Sequence, residues 1–286
     1  MFTLKNHQSL VKISTKGAQI MDWFHLQKEK NILWEMDTVY WNRVAPILFP
    51  IVGRLKNDAY HFNSLSYKLG QHGFARESEF EVVESNETSL VLKLASNAQT
   101  LAVYPFHFEL IISYELDGST LKSRNQLKNT GKDSLFASFG AHPGFHLEHH
   151  ISEYSIHIPG AKKLKRHLID QGLYTGEFEW VHFDQGGFLK LDDSYFEKDA
   201  IVFKHEQIQK MELYHKNSQL LSMEIQGEEA PYWGIWKKKG APFICLEPWW
   251  GLADSTNFEG DLSDKEGINV VIPNETRSFE YSISIA

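Results

Sequence analysis

The residues best suited to chemistry stand at the ends of short apolar runs. Phe243-Ile244-Cys245-Leu246-Glu247-Pro248-Trp249-Trp250-Gly251 closes one such run on a carboxylate, a proline and two tryptophans. Pro242 opens what reads as a buried strand, and Pro248, which has no N–H, is expected to stop it. A carboxylate delivered there beside indole rings loses water, and its pKa rises toward the range useful for proton transfer. Indoles also offer a sugar a broad apolar face and one N–H donor. A surface Glu capping a loop over two core tryptophans fits the same residues, so this motif alone leaves both readings open.

Three other segments join turn residues to ionisable groups. The Pro-bounded run Ala45 to Leu55 ends on Gly53-Arg54, where an arginine could hold a ligand or simply snorkel from a strand end. In Gly70-Gln71-His72-Gly73-Phe74-Ala75-Arg76 the glycines let backbone approach a ligand closely. In Phe139-Gly140-Ala141-His142-Pro143-Gly144-Phe145 a histidine ends a strand and is fixed by the residues after it. Histidine titrates near neutrality, so a rigidly held one suits general acid or base work. A buried, satisfied histidine is the alternative at either position. Cys245 shares the strand face of Glu247 and reads as a small apolar filler, with a nucleophile as the other option. His146, His149 and His150 lack the Cys or carboxylate spacing of a recognised ligand set and read as a solvated loop, so no metal is expected. There is no G-x-S-x-G elbow, P-loop or dinucleotide fingerprint.

The elements that must position these residues are strands, because period-two alternation dominates the chain and long helical periodicity is nearly absent. Phe108 to Leu116 is the clearest case, with Phe108, Leu110, Ile112, Tyr114 and Leu116 on one face. Asp117-Gly118 supplies a hairpin turn, and Thr120 to Lys128 returns with Lys122, Arg124 and Lys128 facing the acidic side of its partner. Ser134 to Ala141 reads as another strand. Shorter runs include Leu10 to Ser14, Phe80 to Val83, Ser89 to Leu94, Tyr154 to Ile158, Ala200 to Phe203, Leu221 to Ile225, Tyr232 to Trp236 and Arg277 to Ile285. Many short strands between turn signals predict an antiparallel sandwich or barrel. Asp254 to Gly267 reads as a long loop. With no linker or internal repeat, residues 1–286 are expected to form one domain.

Composition narrows the partners. Of 286 residues, 42% are hydrophobic and 13% aromatic, enough for a large core with rings left for a cleft. A net charge of −8 argues against a nucleic-acid surface, and Lys237-Lys238-Lys239 reads as a solvated turn. A lone cysteine fits a reducing compartment, and no stretch reads as a secretion signal or a membrane span. A cytoplasmic location without a membrane partner is expected.

Taken in order, these segments resemble the aldose 1-epimerase (galactose mutarotase) family, most closely its LacX-like branch. The likeness runs from Asn31-Ile32-Leu33-Trp34 nearly to the C-terminus. It implies a large antiparallel β-sandwich of the galactose-mutarotase type, a supersandwich with few short helices. It also implies an isomerase that interconverts hexose anomers without a cofactor. On this resemblance Glu247, His142 and His72 are catalytic, Arg54 and Asp199 bind substrate, and Trp249 offers its indole to the sugar. The His-Gly-Phe-Ala-Arg form also resembles the branch acting on hexose 6-phosphates, where Arg76 would clamp a phosphate. A non-catalytic carbohydrate-binding protein, or a glycoside hydrolase using Asp199 and Glu247, are the competing readings. In the epimerase reading Glu247 is the base at O1 and His142 the acid at the ring oxygen, flanking one pyranose-sized hollow from opposite edges.

Overall fold

The alternating apolar pattern produces two large antiparallel sheets in the computed structural model, which describes residues 1–204, 207–227 and 230–286. The nine-stranded sheet is built around the strands Phe108–Asp117 and Thr120–Asn129. Their register sets Glu109 against Lys128, Ser113 against Arg124 and Glu115 against Lys122, and Lys122 Nζ lies 3.5 Å from Glu115 Oε1. The opposite charges expected across this hairpin therefore do pair. Asp117 pairs with Thr120, leaving Gly118 in the tight turn with φ +59°. The apolar face of this sheet meets the inner face of the second. Phe279 stacks on Phe139 at 5.1 Å and approaches Trp250 at 5.5 Å, joining the sheets in one core. Helix is confined among the described residues to Ala98–Val103 and short 3-10 turns.

The second sheet has Phe243–Trp250 at its centre, between Tyr232–Trp236 on one flank and Phe139–Ala141 and Gly144–His146 on the other. Every residue of this strand is buried. Alternation explains why. Ile244, Leu246 and Trp250 enter the core between the sheets, whereas Phe243, Cys245 and Trp249 belong to apolar clusters on the opposite face. A strand covered on both faces reads as a continuous apolar run.

Pro248 does not stop the strand, contrary to the sequence expectation. Gly140 lies opposite Trp249, and Gly144 lies opposite Cys245. Both pairs belong to one register, with Ala141, His142 and Pro143 facing Pro248, Glu247 and Leu246. Across these three positions the ladder is interrupted, so two residues without an N–H, Pro143 and Pro248, are accommodated inside a central sheet. His142 is thereby the cross-strand neighbour of Glu247.

Two other departures have local causes. Ser134 to Ala141 is not one strand: Leu135–Ala137 pairs with Asn269–Val271, and Phe139–Ala141 joins the large sheet. The chain changes partner at Ser138, whose N–H donates to Pro50 O. Lys163–Asp170 and Leu173–His182 form a hairpin at the sheet edge that the alternation pattern did not reveal. Its outer rings, Phe178 and Trp180, are 44% and 47% exposed and are covered by the ammonium groups of Lys165 and Lys163. A strand alternating aromatic rings with Glu, beside a Lys-rich partner, looks polar in sequence yet still caps an edge. The expected loop from Asp254 to Gly267 is stapled by a buried pair, Lys265 Nζ to Asp254 Oδ1 at 2.6 Å.

Candidate active site

A cavity of about 550 Å³ opens on the outer face of the second sheet, within the range of small-molecule sites. His142 and Glu247 lie on its floor. Their side chains are in contact, with His142 Nε2 3.3 Å from Glu247 Oε2. The two groups therefore stand side by side, not at opposite edges of a hollow as the sequence reading had them. The cause is the shared register just described. Trp41 lies tilted against the His142 ring at 4.9 Å, and Trp236 meets it edge-on at 5.6 Å.

Burial sets the electrostatics of the pair. Glu247 is 1% exposed, and neither carboxylate oxygen has a hydrogen-bond partner. Desolvation pushes its pKa well above the usual carboxyl range, opposed by the neighbouring Trp249 indole N–H, which sits near the carboxylate without reaching hydrogen-bond geometry. His142 is pushed down to about 3, mainly by burial, with the positive charges of Arg76 and Arg43 adding to the effect. Both shifts favour the uncharged form. The favoured forms are a carboxylic acid and, beside it, a neutral imidazole.

His72 is fixed by its own backbone turn. It has φ +65°, its N–H donates to Gly53 O at 2.8 Å, and its Nδ1 accepts from Gly53 N–H at 3.1 Å. Burial and the nearby His142, Arg76 and Arg43 hold its pKa well below normal, so the ring is neutral with its proton on Nε2. The ring meets His142 edge-on at 5.8 Å. Gly73 makes the turn possible: its φ is +68°, and a Cβ there would lie 2.3 Å from Phe49 O.

Of the seven residues expected at the site, six line the cavity and Arg54 does not. Arg54 Nε and Nη2 each donate to Asp58 at 2.8 Å, and Nη1 donates to Gln171 O at 3.2 Å. Asn57 and Asp58 both have positive φ, a local bend that folds Asp58 back onto the arginine. Arg76 is the guanidinium at the cavity. It donates to Gln71 O at 2.7 Å, its Nε is buried without a partner, and burial lowers its pKa to about 10. Glu77, the residue after Arg76, is taken by Arg43 and by Lys16 at 3.4 Å.

Asp199 sits at the cavity mouth with φ +91°, an uncommon conformation for a non-glycine residue. The residue as a whole is exposed, but its carboxyl end is crowded enough that desolvation raises its pKa, against a hydrogen bond from Ala200 N–H at 2.8 Å. Trp249 lies across two glycines of the flanking strands. A Cβ on Gly234 would come within 2.5 Å of its Cζ2, and one on Gly140 within 2.8 Å of its Cδ1. Three features of the lining escaped the sequence. Tyr174 presents a buried hydroxyl without a partner, Trp41 and Trp236 wall the imidazole, and Lys237, Lys238 and Lys239 reach the cavity. Lys237 is buried, with Nζ 2.9 Å from Asp193 Oδ1, and so does not belong to a solvated turn. An isolated run of three lysines beside the strand Tyr232–Trp236 was the available signal.

Among the described residues two clusters bring metal-type donors within 4.8 Å of one another: His142 and Glu247 of the cavity floor with the fully buried Cys245, and His149, Glu153 and His215 at the surface. In the second, His149 and His215 stack at 4.3 Å and Glu153 is tied to Lys216 at 3.0 Å.

The chain resembles known proteins over almost its whole length. The family model described as Aldose 1-epimerase matches residues 1–283. The chain is 30% identical to the chromosomal Protein LacX of Lactococcus lactis subsp. lactis over 298 aligned positions, covering 99% of this chain and 98% of the relative. The X-ray structure of a galactose mutarotase related enzyme from Lactobacillus acidophilus superposes with a TM-score of 0.93 at 29% identity, over 100% of this chain and 97% of that one. A galactose mutarotase-like protein from Lactobacillus casei superposes equally well, TM-score 0.93, at 25% identity and full coverage of both chains.

Proposed function

The chain belongs to the aldose 1-epimerase family, and from that premise we propose that it interconverts the α and β anomers of a hexose by acid–base ring opening. The observation that carries the reading is the contact between His142 and Glu247 on the floor of a hexose-sized cavity. The reaction removes the proton from the C1 hydroxyl, protonates the ring oxygen, breaks the C1–O5 bond and lets the aldehyde turn about C1–C2 before it recloses. O1 and O5 are bonded to the same carbon. A base and an acid that serve them must therefore stand next to each other, as these two side chains do.

Glu247 is the base at O1 and His142 the acid at the ring oxygen. The raised carboxyl pKa is compatible with this assignment, because sugar hydroxyls donating to the carboxylate favour its charged form. The proton it gives up has a neutral imidazole 3.3 Å away to receive it. Substrate binding thus converts a neutral pair into the charged pair the reaction uses. His72 donates from Nε2 toward the same region, Trp249 offers the sugar an apolar face, and Asp199 and Tyr174 present hydroxyl partners at the wall. The test is polarimetry of fresh α-glucose and α-galactose with the purified protein. Equilibration no faster than in buffer, for these and for other aldohexoses, overturns the reading.

A second reading, a hexose 6-phosphate 1-epimerase, is favoured by one observation. Arg76, Lys238 and Lys239 all line the cavity, and neither lysine joins an ion pair among the described residues. Such cations concentrate an anionic substrate. Higher kcat/KM on the 6-phosphorylated sugar than on the free one, lost selectively in Arg76→Ala, is the outcome that selects it.

A further inference from the structure

We propose that His142, Cys245 and Glu247 form a latent site for a soft divalent cation, best matched by Zn²⁺, and that filling it blocks the cavity. The donor set is one nitrogen, one sulfur and one carboxylate oxygen, all from buried residues whose ligand atoms lie within 4.8 Å of one another. Zinc takes such ligands tetrahedrally, at about 2.0–2.1 Å from nitrogen, 2.0–2.2 Å from oxygen and 2.3 Å from sulfur. Two first-row donors on a tetrahedral ion are then about 3.3–3.5 Å apart. His142 Nε2 and Glu247 Oε2 are already 3.3 Å apart.

An independent observation points to a ligand at this place. Both Glu247 oxygens are buried and accept no hydrogen bond, and no Lys or Arg is paired with them among the described residues. A carboxyl group so placed exchanges its proton for a cation without giving up a hydrogen bond. The surface cluster of His149, Glu153 and His215 differs on this point, because Lys216 already neutralises Glu153. Cys245 is two residues before Glu247 on the same strand face, so its sulfur approaches from beneath the cavity floor by side-chain rotation. The Cys245 thiol and the Glu247 carboxyl each release one proton to solvent on binding, His142 is already neutral, and the fourth coordination position faces the cavity, open to water. An ion there takes the imidazole lone pair and the carboxylate that ring opening needs.

The experiment uses the full chain, stripped with chelator and titrated with Co²⁺ and Zn²⁺. The expected results are one equivalent bound, a thiolate-to-cobalt charge-transfer band, and anomerisation suppressed by Zn²⁺ and restored by chelator. Cys245→Ala is expected to fold with a modestly lower melting temperature, to keep the basal rate, to lose the band, and to need about tenfold or more Zn²⁺ for the same suppression. No bound equivalent, no band, or equal suppression in wild type and Cys245→Ala overturns the proposal. Binding and absorbance need no turnover, so a protein that binds the metal but shows no anomerisation overturns the enzymatic reading and leaves this one standing.

Discussion

Replacing Glu247 by Gln tests the central assignment through two quantities that should move in opposite directions. A general base contributes about 10²–10⁴-fold to rate, which is roughly 3–5 kcal/mol of transition-state stabilisation. Anomer equilibration by Glu247→Gln is expected to fall by that factor. Stability should behave differently. The folded carboxyl holds its proton more tightly than the unfolded one, whose ordinary pKa is 4.5. The folded state therefore binds a proton that the unfolded state has lost, and wild-type stability declines as pH rises from there through the folded pKa. Each tenfold weakening of this acid by burial is worth about 1.4 kcal/mol on the alkaline side. Glutamine has nearly the same shape and does not titrate. The variant should thus melt no lower than wild type at about pH 8, and its advantage should shrink as pH falls and vanish below 4.5, where the wild-type carboxyl is protonated in both states. Calorimetry across that range and polarimetry at one pH suffice. An unchanged rate refutes the base assignment. A variant destabilised most at alkaline pH shows that the carboxylate is a structural anchor and refutes the burial argument.

Further outcomes follow from the same geometry. His142, held down to about 3 against a normal 6.5, leaves the unfolded chain with the extra proton on acidification. Wild-type stability should fall below about pH 6.5, and His142→Gln should lose up to about 3 kcal/mol less than wild type by about pH 4 in acid melts. Gly234→Ala drives a methyl group to 2.5 Å from the Trp249 ring; a cost of about 1–3 kcal/mol and a raised KM are expected from chemical melts and kinetics. Asp254→Asn strands the buried Lys265 ammonium, whose pKa burial already lowers, and should cost about 3–5 kcal/mol by urea unfolding at neutral pH. Arg54→Ala, which removes a side chain already spent on Asp58, should change kcat/KM by less than about threefold, well below the effect of Arg76→Ala.

Alternation made the nine-stranded sheet legible, because strands such as Phe108–Asp117 bury one face and wet the other. The edge hairpin Lys163–His182 was not legible, since its aromatic rings lie under lysines on an exposed side and carry no apolar stripe. Glu247, His142 and His72 could be picked out as turn-fixed ionisable groups. Their mutual contact could not, because it depends on cross-strand register, and Pro248 seemed to forbid the strand that supplies it. Arg54 and Arg76 look equivalent in sequence. The positive φ of Asn57 and Asp58 decides between them, and no pairwise pattern announces that bend.

The two prolines in the ladder gap also bear on how the central sheet threads. Sliding Phe243–Trp250 by one residue would exchange its faces, sending Glu247 between the sheets and Leu246 to the cavity floor. In the native alignment Pro143 and Pro248 both fall where no bond is owed, whereas a slip moves at least one against an acceptor it cannot serve. These rings thus act as proofreaders of alignment. Replacing Pro248 should show itself first in refolding yield and soluble expression, and only afterwards in turnover.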